Sequence, residues 1–156
     1  MPIKYRVLPN QNLLFGVFSG MLTPSEYLRG IEELSGNPEF KSNFDRLGIL
    51  HKSLDLSHFA FEDIIKIKEK MAAAYYKGKL PDGPGGALCR LAAVLDSEMH
   101  QMMIKLYGAT LSSGMPLPII VESFSSLDDA LIWLERDDLA AEMRNDDWQA
   151  FMTPDA

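Results

Sequence analysis

The side chains that most often carry out chemistry are few in this chain and poorly spaced for it. Its three histidines are His51, His58 and His100. A zinc site needs three or four ligands, usually at short and regular spacings. The histidines show no such spacing, and the one cysteine, Cys89, lies far from His51 and His58 in the sequence. We therefore predict no metal ion and no other cofactor, and we expect His100 to lie at the surface.

Asp55, Ser57 and His58 have the residue types of a nucleophilic triad. In a triad the histidine takes a proton from the serine and is oriented by the acid, so the three side chains must converge. Near neighbours in a loop seldom converge, and the chain has no G-x-S-x-G elbow of the hydrolase type. Turn or cap chemistry explains these residues better, and we predict that the chain is not an enzyme.

Cys89 and the glycine-rich segment before it also have structural explanations. Cys89 follows Ala87 and Leu88, and in such an apolar run we expect a small buried hydrophobic side chain that is not a nucleophile. Residues 83–86, Gly-Pro-Gly-Gly, precede a predicted strand, whereas phosphate-binding loops follow a strand and begin a helix. We predict a turn there.

Composition limits the possible partners. The chain has 156 residues, 47% of them hydrophobic, and a formal net charge of -7. One domain with a packed core is expected at this length. The acidic charge disfavours nucleic acid and anionic lipid surfaces, which attract clusters of lysine and arginine. A single cysteine, with no recognisable signal peptide or membrane-spanning run, predicts a cytoplasmic protein without membrane insertion.

The elements that must position these residues begin with a β-hairpin. Apolar residues alternate with other side chains over residues 3–7 and 13–17, on either side of a turn-rich break. Thr23, Pro24 and Glu26 then form the pattern of a capping box with a proline in the first turn. The pattern predicts a first helix that begins after Thr23.

Three further pairs of strand and helix follow the first helix. Apolar runs at residues 47–50, 87–95 and 117–121 predict buried strands. Helical spacing follows each run, with caps at Asp96-Ser97 and at Ser126 before the last two helices. This order predicts an α/β fold with a mixed, mostly parallel five-stranded sheet and helices packed on it. An N-terminal β-hairpin and four βα units form the sheet, and the second strand of the hairpin is also the strand of the first βα unit.

The predicted domain spans residues 1–136, and residues 137–156 form an acidic helical tail. We expect the tail to be semi-detached and to dock on the domain or on a partner. Trp148 and Phe151 are aromatic anchors of the kind found in interfaces, although docking of the tail onto its own domain is the simpler explanation.

The third predicted helix carries Met99, Met102 and Met103 on one stripe with Leu106. Such a stripe most simply belongs to the core. Methionine adapts to irregular surfaces, so a homodimer face or an apolar ligand pocket is the alternative.

Two stretches carry a family resemblance. Residues 18–23 lead into the first helix, and Phe124 to Leu134 nearly reproduces the pattern F-x-x-x-E-E-A-x-x-W-L, with Asp128 and Asp129 in the acidic places. With the order of elements, they resemble bacterial proteins of the SpoIIAA-like group, which share the STAS fold, over roughly residues 3–135. The resemblance implies a regulator that docks on a protein partner and is switched by phosphorylation of a serine at the start of the second core helix. It also implies a small apolar ligand as another possibility, because related members are named like lipid carriers.

By that resemblance, Ser53 and Ser57 are the candidate phosphorylation sites. We predict a non-catalytic regulatory or protein-interaction module that binds its partner through Asp55, Ser57 and His58, since parallel sheets place adaptable loops at the carboxyl ends of their strands.

The alternative prediction is a protein that binds a small apolar ligand or a lipid. Met99, Met102 and Met103 would then line a cavity between the helices and the sheet.

Overall fold

Strands and helices alternate along the chain in the computed structural model, which describes residues 2–76 and 89–154. The strands are β1 (Ile3–Leu8), β2 (Leu13–Phe18), β3 (Asp45–Leu50), β4 (Cys89–Val94) and β5 (Ile119–Phe124). The helices are α1 (Pro24–Ser35), α2 (Phe61–Tyr75), α3 (Glu98–Ser112), α4 (Leu127–Trp133), α5 (Leu139–Glu142) and α6 (Asp146–Met152). The turn predicted at residues 83–86 and the first two residues of the predicted strand 87–95 lie outside the described residues.

The five strands form one sheet in the order β1-β2-β3-β4-β5. The strands β1 and β2 pair as an antiparallel hairpin, and all the other neighbours are parallel. The prediction of an α/β fold with a mixed, mostly parallel five-stranded sheet is therefore confirmed.

The last strand differs from the prediction of residues 117–121, because it runs from Ile119 to Phe124. Pro116 and Pro118 lack the amide hydrogen that a sheet ladder needs, so regular pairing begins only after them. Glu122 continues the strand despite its polarity, paired with Ala92 of β4. The apolar run therefore marked the first half of the strand and missed the half that contains Glu122 and Ser123.

The predicted helix caps are confirmed at the atomic level. The Thr23 hydroxyl accepts from the Glu26 amide at 3.2 Å, and the Glu26 carboxylate accepts from the Thr23 amide at 3.2 Å. The Ser97 and Ser126 hydroxyls each accept an amide hydrogen bond at the start of α3 and α4. None of the helices within residues 2–76 and 89–154 combines the length and the apolar character that a membrane span requires.

Helices cover both faces of the sheet. Each of the three crossovers between parallel strands moves to the next strand in the same direction across the sheet. Because such connections share one handedness, their helices all lie on the same face. There α1, α2 and α3 pack on the sheet through a core that includes Ile31, Ile67 and Leu111. The helices α4, α5 and α6 pack on the opposite face against Leu13, Phe15 and neighbouring core residues.

The acidic tail packs against its own domain in this structure. Leu139, Met143 and Trp148 are at most 5% exposed. The Trp148 ring lies 5.2 Å from the Phe15 ring, between centroids. The Arg6 guanidinium lies over the Trp148 ring at 4.7 Å and donates to Asp147 at 3.0 Å. The tail therefore closes the second face of the sheet.

Replacing Trp148 tests how much this packing stabilises the domain. We expect Trp148→Ala to lower the free energy of unfolding by about 3–5 kcal/mol, because it leaves a cavity under a buried aromatic ring. Urea unfolding measures the change. Ile132→Ala, at a side chain that is 60% exposed, is the control and is expected to change stability by less than about 1 kcal/mol. A parent-like midpoint for Trp148→Ala would contradict the docked tail.

Candidate ligand-binding cavity

A cavity of about 180 Å³ lies between the sheet and the layer formed by α1, α2 and α3. Its walls are almost entirely apolar side chains from the strands, the three helices and the connection between β3 and α2, among them Phe18, Leu22, Ile31, Leu50, Leu54, Ile64, Ile67, Leu91 and Ile104. For comparison, an apolar cavity of about 150 Å³ in another protein is large enough to hold benzene. The space is thus suited to a small apolar molecule.

The floor of the cavity is a row of small residues. Register places Gly48 of β3 beside Gly16 of β2 and beside Ala93 of β4, and all three line the cavity. A methyl group at Gly16 or Gly48 would lie 3.2 or 3.3 Å from the Phe18 ring. The Phe18 ring therefore lies directly over the two glycines, and a side chain at either position would push it further into the cavity.

A hydrogen-bond network crosses the helices above the floor. The hydroxyl oxygens of Tyr27 on α1 and Tyr107 on α3 are 3.0 Å apart, and the Tyr107 hydroxyl donates to the Met71 sulfur on α2 at 3.4 Å. Burial raises the pKa of both tyrosines, so both stay neutral at neutral pH. The network gives the cavity a few fixed polar atoms in an apolar wall.

Arg46 also lines the cavity, and the residue is only 7% exposed. It lies two positions before Gly48 on β3, so both residues face the same side of the sheet. Its guanidinium donates to the Cys89 sulfur at 2.7 Å, to the Phe44 carbonyl at 3.4 Å and to the Ser42 carbonyl at 3.2 Å. A permanent positive charge is thus held beside an apolar space.

Aromatic rings and a thiol surround this charge. The guanidinium carbon lies 5.5 Å from the centre of the Phe40 ring and 5.4 Å from that of Tyr75. Burial raises the pKa of the Tyr75 hydroxyl well above its ordinary value, and the nearby Arg46 charge only partly opposes this. Burial likewise raises the pKa of the Cys89 thiol. These neighbours are neutral at neutral pH and do not cancel the charge.

The predicted contact residues Asp55, Ser57 and His58 lie together in the connection between β3 and α2, and all three are exposed. The Ser57 amide donates to the Asp55 carboxylate at 2.9 Å, which is the turn chemistry expected of these residues. This bond and the Ser57 side chain lower the pKa of Asp55. No hydrogen bond joins His58 to Ser57 or Asp55 within this described loop. The geometry of a triad is not present.

Ser53 occupies a different position from Ser57 in the same connection. Its hydroxyl accepts from the Gly20 amide at 3.2 Å and lies 2.8 Å from Nδ1 of His51. It therefore helps to hold the end of β3 against the segment that follows β2. The Ser57 hydroxyl lies beside the Asp55 carboxylate, in an exposed turn.

The expectation that His100 lies at the surface is wrong, because the residue is only 4% exposed. Its Nε2 lies 2.8 Å from the Leu54 carbonyl oxygen. A carbonyl can only accept, so Nε2 carries a proton, and Nδ1 has no partner among the described residues. The polar ring faces inward because it satisfies a backbone group of the connection before α2.

The interpretation of the methionine stripe as core is wrong for three of its four members. Met99 and Met102 are 67% and 71% exposed, and Leu106 is 38% exposed. Met103 lines the cavity, whereas Met99 and Met102 do not. The inner face of α3 is formed instead by residues such as His100, Ile104 and Tyr107, so the stripe is rotated relative to the buried face.

Sequence reasoning missed the two most informative residues of the cavity, Gly48 and Arg46. A signal was present, because a glycine inside an apolar strand often marks a close approach or a ligand. Gly48 lies inside the apolar run that predicts β3, and Arg46 immediately precedes that run.

Comparison with known proteins gives no match to a family model, to a curated protein or to a solved structure. The resemblance to the SpoIIAA-like group therefore stays a prediction. Within residues 2–76 and 89–154, no group of three or more His, Cys, Asp or Glu side chains is placed to hold a metal ion. The cavity is the feature from which function can be argued.

The reactivity of Cys89 tests whether its thiol is buried and protonated, as the structure shows. The thiolate is the reactive form, and the raised pKa keeps the fully buried thiol protonated at about pH 8. We expect almost no reaction of the folded protein with a chromogenic disulfide reagent. The urea-unfolded protein is the control and should react with one equivalent. A full, rapid equivalent from the folded protein would contradict a buried and neutral thiol.

Proposed function

We propose that this chain is a non-enzymatic binding protein for a small apolar ligand, held between the sheet and the helices α1, α2 and α3. The observation that carries the proposal is the floor of Gly16, Gly48 and Ala93, which leaves a cavity of about 180 Å³ open. A ligand that fills the space would remove the apolar surface of the walls from water, which stabilises the complex by about 25 cal/mol per Å².

The chemistry of the walls supports an apolar occupant. Small-molecule sites combine mostly hydrophobic walls with a few placed polar groups. Here the lining residues with polar side chains are Tyr5, Tyr27, Tyr75, Tyr107 and Arg46. Burial raises the pKa of Tyr27, Tyr75 and Tyr107, and Arg46 supplies a positive charge.

The connection between β3 and α2 offers a route for exchange. Leu54, Leu56 and Phe59 line the cavity from this connection, and Leu56 and Phe59 are partly exposed. The hydrogen bond between His100 and the Leu54 carbonyl holds the connection against α3. The Asp55 amide also donates to the Gly20 carbonyl at 2.8 Å, and the Asp55 carbonyl accepts from the Leu22 amide at 3.2 Å, so exchange through this connection would break these hydrogen bonds as well.

A methyl group at Gly48 tests the site directly. We expect Gly48→Ala to weaken the binding of decanol by about fourfold, because the added methyl group displaces the Phe18 ring into the cavity and a lost methyl-sized volume is worth about 0.8 kcal/mol. Isothermal titration calorimetry measures the affinity, and native mass spectrometry of protein purified without detergent shows any retained ligand.

Gly36→Ala is the matched control for this test. Gly36 ends α1, lies outside the cavity, and has no atom nearer than 3.7 Å to the position of an added methyl group. Its substitution should leave decanol affinity unchanged. Equal affinities for the two variants would contradict the cavity as the site. No retained ligand, together with no rise in Tm for any of a panel of apolar compounds, would remove the proposal altogether.

A regulatory or protein-interaction module is the second candidate function. The alternation of side chains between β3 and α2 favours it, because Leu54 and Leu56 line the cavity while Asp55 and Ser57 are exposed. The exposed side chains are positioned by an internal hydrogen bond and present a charge and polar groups to solvent. A partner that binds this surface would contact the same segment that covers the ligand.

The partner surface is tested by Asp55→Ala and His58→Ala in pull-down experiments. We expect each variant to lose partners that the parent captures, since its polar contacts would be removed from the interface. Glu69→Ala, which removes a carboxylate from the exposed side of α2, is the control and should keep them. Should both loop variants retain every partner of the parent, this segment is not the contact surface.

A further inference from the structure

We infer that the ligand of this cavity is an amphiphile with an acidic head group, such as an aliphatic monocarboxylic acid, whose carboxylate pairs with the guanidinium of Arg46. This inference rests on the proposed binding function and names the class of ligand. It starts from a charge that the described part of the chain does not neutralise.

The charge balance around Arg46 is the first observation. A buried charge is strongly unfavourable unless an opposite charge or a set of hydrogen bonds compensates it. Within residues 2–76 and 89–154, the ion pairs involve other basic residues, and no carboxylate lies within 4 Å of the Arg46 guanidinium. The preceding residue, Asp45, pairs instead with Arg136, at 2.7 Å.

The hydrogen bonds of Arg46 are the second observation. The guanidinium has five N–H donors, and its three acceptors in the described residues are the Cys89 sulfur and the carbonyls of Phe44 and Ser42. None of them carries a full negative charge, because burial raises the pKa of the Cys89 thiol. The neutral Tyr76 hydroxyl is a further neighbour of the guanidinium and has no other hydrogen-bond partner among the described residues. Five donors and these acceptors leave at least one N–H for an anion, which a charge-assisted hydrogen bond would hold.

The position of Arg46 relative to the floor is the third observation. Two residues along a strand are separated by about 6.6 Å, so a head group on Arg46 would direct the first carbons of its chain over Gly48. Beyond Gly48, the cavity continues along Phe18 and Leu50, at the carboxyl ends of β2 and β3. A polar end and an apolar end thus lie in the order that an amphiphilic acid requires.

The experiment compares decanoic acid with decanol, which has the same chain length and no charge, at about pH 7 by isothermal titration calorimetry. We expect the parent protein to bind the acid at least about tenfold more tightly, because a hydrogen bond to a charged group contributes more than one between neutral groups. Arg46→Met should bind the alcohol as the parent does and lose the preference for the acid. Arg46→Lys, which keeps the positive charge but lacks the planar guanidinium group, should keep part of the preference for the acid.

The outcomes separate this inference from the function on which it rests. Equal affinities of the parent for acid and alcohol would overturn the acidic head group and leave the apolar ligand in place. Binding of neither compound, nor of any other apolar compound, would instead remove the proposed function. A preference for the acid that survives in Arg46→Met would show that Arg46 does not hold the head group.

The stability of the ligand-free variants is the control for this comparison. Arg46→Met leaves the carbonyls of Phe44 and Ser42 without their guanidinium donors, and an unpaired buried acceptor is destabilising, so we expect a lower Tm than that of the parent. A single cooperative unfolding transition shows that each variant is folded before its affinities are compared.

Discussion

Parallel pairing in register at the centre of the sheet is the constraint on which the rest of the structure depends. It aligns Gly16, Gly48 and Ala93 as a row on one face. Protein interiors are otherwise packed as densely as organic crystals, and three small side chains in a row leave a gap that the Phe18 ring fills only in part. The positions of α1, α2 and α3 over this gap follow from the direction of the crossovers. A shift of one residue in the register of β3 would turn Gly48 and Arg46 to the other face.

The two faces of the sheet thus differ in how completely their side chains fill the space next to the strands. Around Phe15, the aromatic rings of α6 fill the space and are close to one another, at 5.2 to 5.8 Å between centroids. On the cavity face the same strands carry glycines and a buried arginine. Natural proteins give up stability where a site needs space or charge, and the contrast between these faces fits that rule. The tail supplies packing that the cavity face lacks.

Much of the fold could be predicted from the sequence because its signals are local. The capping residues Thr23 and Ser126 each fix a helix start through one hydrogen bond, and apolar runs mark strands that are covered on both faces. The site was harder to predict, because it depends on which residues of different strands lie side by side. His100 and Met99 show a second limit, because their residue types predicted an exposed histidine and a buried methionine. The structure has the reverse: Met99 is exposed, and a tertiary hydrogen bond holds His100 inside.

The contacts between β1 and the tail also bear on self-association. β1 is an edge strand, and an unpaired edge is a template on which another chain can add a strand. The ammonium of Lys4 donates to the Thr153 carbonyl at 2.8 Å, and Arg6 lies over the rings of Trp148 and Phe151. These charged side chains and the α6 helix crowd the approach to that edge. Loss of the tail would uncover Phe15 next to an open edge, which is the combination from which strand-exchanged oligomers and aggregates grow.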